Sequence, residues 1–378
     1  MSRVLVLNCG SSSVKYRLFD GDRTLAKGLI ERIGESGSRV PDHEAALRAV
    51  LAEVDLGGLA AVGHRVVHGG GRFSAPTPID DTVIAAIEQL VPLAPLHNPP
   101  NLAGILVARK LLPGVPQVAV FDTAFHHTLP AAAATYAIDA AVAARHGIHR
   151  YGFHGTSHEY VSRRTATLLG RPAEDVNVIT LHLGNGASAC AVEGGRSVAT
   201  SMGLTPLEGL VMGTRSGDID PAIVFHLHRR GGLDVDQIDE MLNHRSGLLG
   251  LCGANDMREV LARRAAGDPA ASLAFDVYCR RIRAYVGAYY ALLGRVDAVT
   301  FTAGVGENAA AVRATVLDGL ERLGIVLDHA RNAADRPGER PISSDGADVA
   351  VLVVPTDEEL EIANQARVVV ASPLPPRP

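Results

Sequence analysis

The sequence has few cysteines, and their spacing fits no metal-binding or disulfide pattern. The four cysteines among the 378 residues are Cys9, Cys190, Cys252 and Cys279, and they form no C-x-x-C pair and no even series. A zinc knuckle or a disulfide framework needs such a pattern, so neither is expected. The spacing suits a protein of the reducing cytoplasm.

Long apolar segments and concentrated positive charge are missing too. No run of about 18 apolar residues occurs, and the apolar run before Asn8 is too short for a signal peptide. The formal net charge is −5, and lysines and arginines are scattered along the chain. We therefore expect neither a membrane nor nucleic acid as a partner. The length predicts two domains, each large enough to bury its own core.

Two widespread nucleotide-binding patterns are absent or incomplete. The Walker A sequence, G-x-x-x-x-G-K-[ST], does not occur. The pattern G-x-G-x-x-A occurs at residues 184–189 and 304–309, but the start of the chain shows no matching βαβ unit. A Rossmann dehydrogenase is therefore a poor fit.

Residues 178–188, VITLHLGNGAS, carry the clearest signal that is present. An apolar strand that ends in a glycine turn offers bare backbone N–H groups to a phosphate, so this stretch predicts a phosphate cradle. Residues 4–13, VLVLNCGSSS, overlay it without gaps at an offset of 174, which pairs Asn8 with His182. The overlay predicts two related α/β domains. Chance similarity is the alternative, because the identity is low.

Charged residues stand in or just after predicted strands. Arg65 interrupts one apolar strand, and Asp122 ends another, at the edge where open α/β sheets place active-site groups. Lys15 follows the polar turn NCGSSS, a combination that suits phosphate oxygens and a hydrated magnesium ion. The alternatives are a structural ion pair for Arg65 and an ordinary turn before Lys15.

Two predicted helices begin beside further candidate residues. Thr156 and Glu159 form a T-x-x-E capping box, and His154 stands just before it. A packing role is the alternative for His154. Glu358 lies in the first turn of the last helix, where an acid complements the helix dipole without any ligand.

The remaining patterns predict loops and regular elements. Residues 201–221 form a long glycine-rich loop with Arg215 as its main cation, and such loops are more often functional than packed. Loops are also expected at residues 93–101 and 246–256. The other expected elements are a hairpin at 4–20, helices at 42–54, 80–93 and 270–293, and strands at 59–67, 117–122, 296–305 and 349–355.

A set of nine motifs runs in order along nearly the whole chain. They are NCGSSSVKY, GHRVVHGG, LAPLHNPPN, VFDTAFH, YGFHGTSH, HLGNGAS, TPLEGLVMGTRSGDIDP, FTAGVGEN and VPTDEEL. The set resembles the acetate kinase family from end to end. The resemblance implies an α/β protein of the actin-like ATPase fold, with two RNase H-like domains from an internal duplication and an active-site cleft between them. It also implies a homodimer.

The resemblance assigns the domains and the reaction. Residues 1–150 become an N-terminal domain joined by the helix 357–371, residues 151–356 a nucleotide-binding domain, and residues 372–378 a disordered tail. The implied reaction is the reversible, direct in-line transfer of the γ-phosphoryl group of ATP to acetate, giving acetyl phosphate and ADP. Its cofactor is Mg²⁺, for which Mn²⁺ can substitute.

The resemblance also assigns roles to single residues. Arg65 and Arg215 are expected to hold acetate and the phosphoryl group, and His154 to donate to the transition state. Asp122 is either a proton acceptor or an aligner of an arginine, and we favour alignment because acetate is already ionised at pH 7. The magnesium positions are Asn8 and Glu358. The nucleotide positions are Ser11, Ser13, Lys15, His182, Leu183, Gly184, Asn185, Gly186, Asp256, Met257, Arg258, Gly304, Val305, Gly306, Glu307 and Asn308. The walls of a methyl pocket are Val67, Leu96, Phe153 and Pro206.

The sequence departs from the family pattern in three places, and two alternatives stay open. Cys9 and the segment LCGAND at residues 251–256 are less common versions of their motifs, Met257 stands beside the expected adenine site, and residues 28–59 form a shorter region than usual. One alternative is a nucleotide-gated interaction protein, which would not need Arg65, Arg215 and His154 together. The other is a kinase for propionate or another short acid.

Overall fold

The structure is a computed structural model that describes residues 3–35, 37–95 and 97–371. Leu96 and the tail at residues 372–378 lie outside the described residues. The described chain divides into two units. The first takes its residues from Met1–His127, Gly155–Ser157 and Asp357–Pro378, and the second from Thr128–His154 and His158–Thr356. Compactness does not show that a unit folds alone, so the domain boundaries stay a prediction.

Strands and helices alternate through both units. The strands are β1 Arg3–Cys9, β2 Ser13–Asp20, β3 Arg23–Glu31, β4 Leu59–Val66, β5 Thr77–Pro78, β6 Gln117–Phe121, β7 Asn177–Leu183, β8 Ala187–Glu193, β9 Arg196–Thr200, β10 Ala298–Thr302, β11 Arg340–Pro341 and β12 Ala350–Val353. The helices are α1 His43–Glu53, α2 Asp81–Gln89, α3 Asn98–Leu111, α4 Ala131–Ala134, α5 Ala140–His146, α6 Gly155–Leu168, α7 Ala222–Gly231, α8 Val235–His244, α9 Gly247–Cys252, α10 Met257–Ala265, α11 Pro269–Leu293, α12 Ala303–Asn308, α13 Ala310–Leu317, α14 His329–Ala333 and α15 Glu358–Ala371. Short 3₁₀ helices lie at Val91–Leu93, Ala124–Thr128, Ala173–Asp175 and Glu321–Leu323.

The two sheets share one topology, which confirms the predicted duplication. The first has the order β3-β2-β1-β4-β6-β5, and the second, taken in the same sense, has β9-β8-β7-β10-β12-β11. In both, the first two pairings are antiparallel, the next two parallel and the last antiparallel. The overlay by 174 holds only up to the first turn, because Cys9 pairs with Val14 whereas Leu183 pairs with Ala187. The second turn is therefore one residue shorter.

Both faces of the first sheet are covered by helices. Alternate residues of β1 point to opposite faces, so Leu5 and Leu7 pack with α1 and α3 while Val4 and Val6 pack with α15. The contact with α15 is close: a Cβ atom at Gly63 of β4 would lie 2.8 Å from Ile362 Cγ2. This proximity requires glycine at position 63.

The second sheet is covered in the same way. Val161 and Ala166 of α6 join a buried cluster with the strand residues Val178, Ala298 and Leu352. The long helix α11 packs against β7 and β8. None of the described helices has the length and hydropathy that crossing a membrane would require.

Most predicted elements are confirmed, including the hairpin at residues 4–20, and residues 201–221 contain no helix or strand. Three predictions are wrong. The expected loop at 93–101 contains the start of α3, whose first turn accommodates prolines because they need no N–H there. The loop at 246–256 contains α9, and the strand at 296–305 ends at Thr302, where α12 follows.

The predicted capping box at the start of α6 is also wrong. The cap residue is His154 in a left-handed conformation (φ 57°), without a side-chain cap. The Thr156 hydroxyl is buried without a hydrogen-bond partner among the described residues. The start of the helix is instead fixed by the Gly155 N–H, which donates to the Asp122 carbonyl at 2.9 Å.

Candidate active site

In the first unit, Arg65 and Asp122 form a bidentate ion pair. Arg65 belongs to β4, and Asp122 directly follows the neighbouring strand β6. The sequence predicted both of these positions. Arg65 Nε donates to Asp122 Oδ1 at 3.0 Å and Nη2 donates to Oδ2 at 2.6 Å. Burial raises the pKa of the Asp122 carboxyl, and the Arg65 guanidinium opposes that rise. The Arg65 side chain is 21% exposed against 1% for Asp122, so the guanidinium is fixed on one side and accessible on the other.

The start of α15 brings acids to the same unit. Glu359 Oε1 lies 2.5 Å from Lys15 Nζ, and Lys15 pairs with Asn8 across the hairpin. Glu358 Oε1 is buried without a hydrogen-bond partner among the described residues. Burial lowers the pKa of the Arg65 guanidinium, but the negative charges of Asp122 and, to a smaller extent, Glu358 raise it above its usual value. A buried carboxylate oxygen without a hydrogen-bond partner fits a hard cation such as Mg²⁺.

No group of three or more His, Cys, Asp or Glu residues that could hold a metal occurs among the described residues. The magnesium position at Asn8 and Glu358 stays a prediction.

The hairpin turn of the first unit is held by a residue that sequence reasoning missed. Asn101 of α3 donates from Nδ2 to the Cys9 carbonyl at 2.7 Å and accepts from the Val67 N–H at 3.1 Å. It therefore links the turn that contains Ser11 and Ser13 to Val67. The motif N-P-P-N, interpreted as a loop, was the available signal. Cys9 itself is buried, which raises the pKa of its thiol to about 12 and leaves it unreactive.

In the second unit, the turn Gly184–Gly186 is surrounded by His154, His182 and Arg215. The His154 ring stacks on His182 with centroids 4.2 Å apart. A Cβ atom at Gly186 would lie 3.0 Å from Arg215 Nη2 and 3.5 Å from His154 Nε2. Both side chains thus converge over a bare backbone turn.

Arg215 is a partly buried cation whose charge is not balanced by any acid among the described residues. Its Nη1 donates to the Pro206 carbonyl at 2.7 Å, and it forms no ion pair with any acid among the residues described. Burial lowers the pKa of its guanidinium. The Met212 N–H donates to the Arg215 carbonyl at 3.1 Å and fixes the backbone. Partial desolvation of a guanidinium that has no counter-charge is unfavourable, so this position indicates an anionic ligand.

A cavity of about 540 Å³ opens beside this turn in the second unit. Predicted nucleotide residues that line it are Gly184, Asn185, Asp256, Met257, Arg258, Gly304, Val305 and Asn308. Sequence reasoning missed the other wall residues, which are Gly213, Leu248, Asn255, Leu261, Tyr278 and Ala309. Asp256 caps α10 by accepting from the Arg258 N–H, and the Arg258 guanidinium lowers the pKa of Asp256 to about 2. The partly apolar wall and the polar turn suit a nucleotide.

The comparisons with known proteins identify the family. The model of the acetokinase family matches residues 3–364. The acetate kinase of Streptomyces coelicolor is 61% identical over 98% of this chain and 97% of its own. The chain belongs to the acetokinase family. Crystal structures of Porphyromonas gingivalis acetate kinase and a Francisella tularensis propionate kinase are both 43% identical, with TM-scores of 0.94 and 0.91. They cover 98% and 97% of this chain and 100% of their own. The predicted fold class is thereby confirmed.

Some predicted nucleotide residues of this acetokinase lie outside the cavity wall. These are His182, Leu183, Gly186, Gly306 and Glu307 in the second unit. Leu183 is fully buried, and Glu307 accepts from the Thr356 N–H at 3.4 Å, while burial raises the pKa of its carboxyl. The structure supports a packing role for these two residues at least as directly as a ligand contact.

The predicted methyl-pocket residues of this acetokinase divide between the units. Val67 belongs to the first, and Phe153 and Pro206 belong to the second. Val67 and Phe153 are buried. Leu96 is not among the described residues. The pocket that these residues would share stays a prediction.

Proposed function

We propose that this acetokinase transfers the γ-phosphoryl group of ATP to acetate, giving acetyl phosphate and ADP in a reversible reaction. Arg215 carries the proposal: it is a partly buried cation, without an acidic partner in the described chain, that lies over a glycine turn beside a cavity of about 540 Å³. A transferred phosphoryl group carries its charge on three equatorial oxygens, which planar guanidinium donors suit.

The side chains have distinct roles in this proposal. Arg215 and His154 donate to the transferring group, where charge stabilisation lowers the barrier. Arg65 orients the acetate carboxylate with the side of its guanidinium that Asp122 leaves accessible. Asp122 aligns Arg65 and accepts no proton, because both of its oxygens are occupied and acetate is ionised at neutral pH. Direct in-line transfer then needs no covalent enzyme intermediate.

The magnesium ion belongs at Asn8 and Glu358, with Mn²⁺ as a substitute. When bound, it would neutralise charge on the phosphates. The unpartnered Glu358 oxygen is the observation that supports this position. The remaining assigned nucleotide residues, among them Lys15, Ser11, Ser13 and the turn at 184–186, are proposed to contact the phosphates.

We further infer a homodimer that forms through α7. This helix buries none of its residues, and it exposes Ile223 and Phe225 at 42% and 57%. Exposed aromatic and branched side chains on one helix are typical of a contact surface, and a second copy of the chain would cover them. Light scattering should give a dimer mass that Phe225→Asp reduces to a monomer, and an unchanged mass would contradict this interface.

A cytoplasmic location is inferred from the cysteines. All four are free and buried, which suits a compartment that does not form disulfides. Cell fractionation with antibody detection would test it.

The proposed reaction is tested with purified protein, ATP, Mg²⁺ and acetate, by trapping acyl phosphate with hydroxylamine. Acyl phosphate should form, and ATP should form from acetyl phosphate and ADP. ATP binding without acyl phosphate would favour the nucleotide-gated interaction protein.

Propionate is the second candidate substrate, because the propionate kinase structure matches this chain at the same identity as an acetate kinase structure. Running both acids in the same assay decides between them. We expect a higher kcat/KM for acetate, and the reverse order would assign propionate.

A further inference from the structure

A chain of hydrogen bonds runs from His154 through the interior of the second unit. His154 Nδ1 lies 2.9 Å from Ser188 Oγ, and Ser188 Oγ lies 2.7 Å from His158 Nε2. His158 Nδ1 lies 2.7 Å from Thr180 Oγ1, whose hydroxyl donates to the Cys190 carbonyl at 3.4 Å. Ser188, His158 and Thr180 are all fully buried. We name these three residues the relay.

The fold sets up this chain from three elements. His154 is the N-cap of α6, and His158 in the first turn donates from its backbone N–H to the His154 carbonyl at 2.9 Å. Thr180 of β7 pairs with Cys190 of β8, and Ser188 lies two residues before Cys190 on the same face of that strand. The relay therefore joins the first turn of α6 to the hairpin that ends in the glycine turn.

The end of the chain lets us assign a direction to every hydrogen bond, since each ring nitrogen can donate or accept. A carbonyl oxygen only accepts, so Thr180 donates to Cys190 and accepts from the Nδ1–H of His158. A neutral His158 then accepts at Nε2 from the Ser188 hydroxyl. The Ser188 oxygen in turn accepts from the Nδ1–H of His154. In this assignment, neutral His154 carries its proton on Nδ1 and none on Nε2, the atom that lies near Gly186 and Arg215.

We propose that the relay positions His154 and holds its proton on Nδ1, so that His154 donates to the phosphoryl group from Nε2 only as the imidazolium. This rests on the proposed function, in which His154 is the transition-state donor. The groups that face the His154 ring include the Arg215 cation, the His182 ring stacked on it and His158 behind Ser188. The Arg215 charge disfavours the imidazolium, and the bond from Nδ1–H to Ser188 favours it, since charge-assisted hydrogen bonds are the stronger ones.

Ser188→Ala tests the relay, with Ser197→Ala as the matched control. Ser197 is a buried serine of the same sheet, and its hydroxyl bonds to the Cys190 thiol, outside the relay. ADP release would be followed by a coupled assay from pH 6 to 9, and thermal unfolding would confirm that both variants fold. Wild-type kcat should fall as the pH rises through the titration of His154, because only the imidazolium donates.

Ser188→Ala should lower kcat by roughly 10- to 100-fold, the effect of losing a hydrogen bond to a charged group, with KM values near those of the wild type. The kcat of this variant should begin to fall at a lower pH than that of the wild type, because the His154 imidazolium has lost the Ser188 oxygen as its acceptor. Ser197→Ala should match the wild type. A Ser188→Ala profile equal to that of Ser197→Ala, or a wild-type kcat that does not fall with pH, would overturn the proposal.

A second pair of variants separates positioning from packing. His158→Gln retains an acceptor for the Ser188 hydroxyl and should keep more of the activity than His158→Leu. Equal losses in both would assign His158 to packing alone. If the wild type makes no acyl phosphate, the proposed function fails, and the relay is judged by ¹⁵N chemical shifts of labelled histidine. Nδ1-protonated His154 in the wild type but not in Ser188→Ala would support it, and Nε2-protonated His154 in the wild type would refute it.

Discussion

Replacing Arg65 by alanine should reveal how much the buried ion pair contributes to stability and in which pH range. The change leaves the Asp122 carboxylate, 1% exposed, without the two hydrogen bonds that its oxygens accept. Removing one partner of a buried pair costs about 3–5 kcal/mol. A domain is stable by only about 5–15 kcal/mol, so the variant should fold but with a much reduced margin. Loss of the charged donor should also lower kcat by more than about 100-fold.

The cost should depend on pH with a definite sign. Burial raises the pKa of Asp122, and without Arg65 that rise is no longer opposed. The unfolded pKa is about 3.9, so the folded state of the variant binds the proton more tightly than the unfolded state. The stability of the variant relative to the wild type is therefore highest at low pH. It falls as the pH rises through the raised pKa of Asp122 in the folded state. The deficit should be smaller near pH 5 than near pH 8.

Urea unfolding of the wild type and Arg65→Ala at several pH values measures this deficit. Adding Asp122→Asn to the Arg65→Ala variant removes the titrating group, and the double variant should recover stability at pH 8 and lose the pH dependence. A deficit equal at both pH values, or below about 1 kcal/mol at pH 8, would refute a charged Asp122 held by Arg65.

The other predictions concern single side chains. Arg215→Ala should lower kcat by more than about 100-fold with a thermal midpoint no lower than that of the wild type, and near wild-type turnover would exclude its proposed role. Glu358→Gln should raise the Mg²⁺ concentration needed for half-maximal activity, whereas a cap alone would change only stability, by about 0.3–1 kcal/mol. Val67→Ala should raise kcat/KM for propionate relative to acetate by roughly tenfold, and an unchanged ratio would remove Val67 from the pocket. Tyr278→Phe should raise the free energy of unfolding by about 1 kcal/mol in urea titrations, because the buried Tyr278 hydroxyl has no partner among the described residues. A lower free energy of unfolding would show that this hydroxyl makes a hydrogen bond.

The sequence was most informative where local pattern decides the structure. The hairpin at residues 4–20 and the second glycine turn were predictable because strand alternation and turn residues are local signals. The start of α3 was not, since its prolines suggested a loop although they are tolerated in a first turn. Helix α8 was missed even though Asp234 and Gln237 form a capping box before its apolar residues.

The site was predictable only in part, because its geometry depends on long-range contacts. Arg65 and Asp122 were singled out by their places at strands, but their bidentate bond joins residues 57 positions apart and depends on β4 lying beside β6. Ser188 gave no sign of its role, since a serine within an apolar strand reads as packing. Tyr278 lies in the apolar face of α11, where no sequence pattern separates a cavity wall from an ordinary core residue.

Helix α15 is synthesised late, yet it covers the sheet that forms from the start of the chain. One face of the first sheet is built from residues near the start of the chain, such as Val4, and it is covered by Ile362 and its neighbours in α15. During translation this apolar face stays uncovered until more than three hundred further residues have been made. Exposed apolar surface of this kind favours aggregation. The same helix brings Glu358, so the proposed magnesium site is completed only when the nascent chain has closed its first core with its last helix.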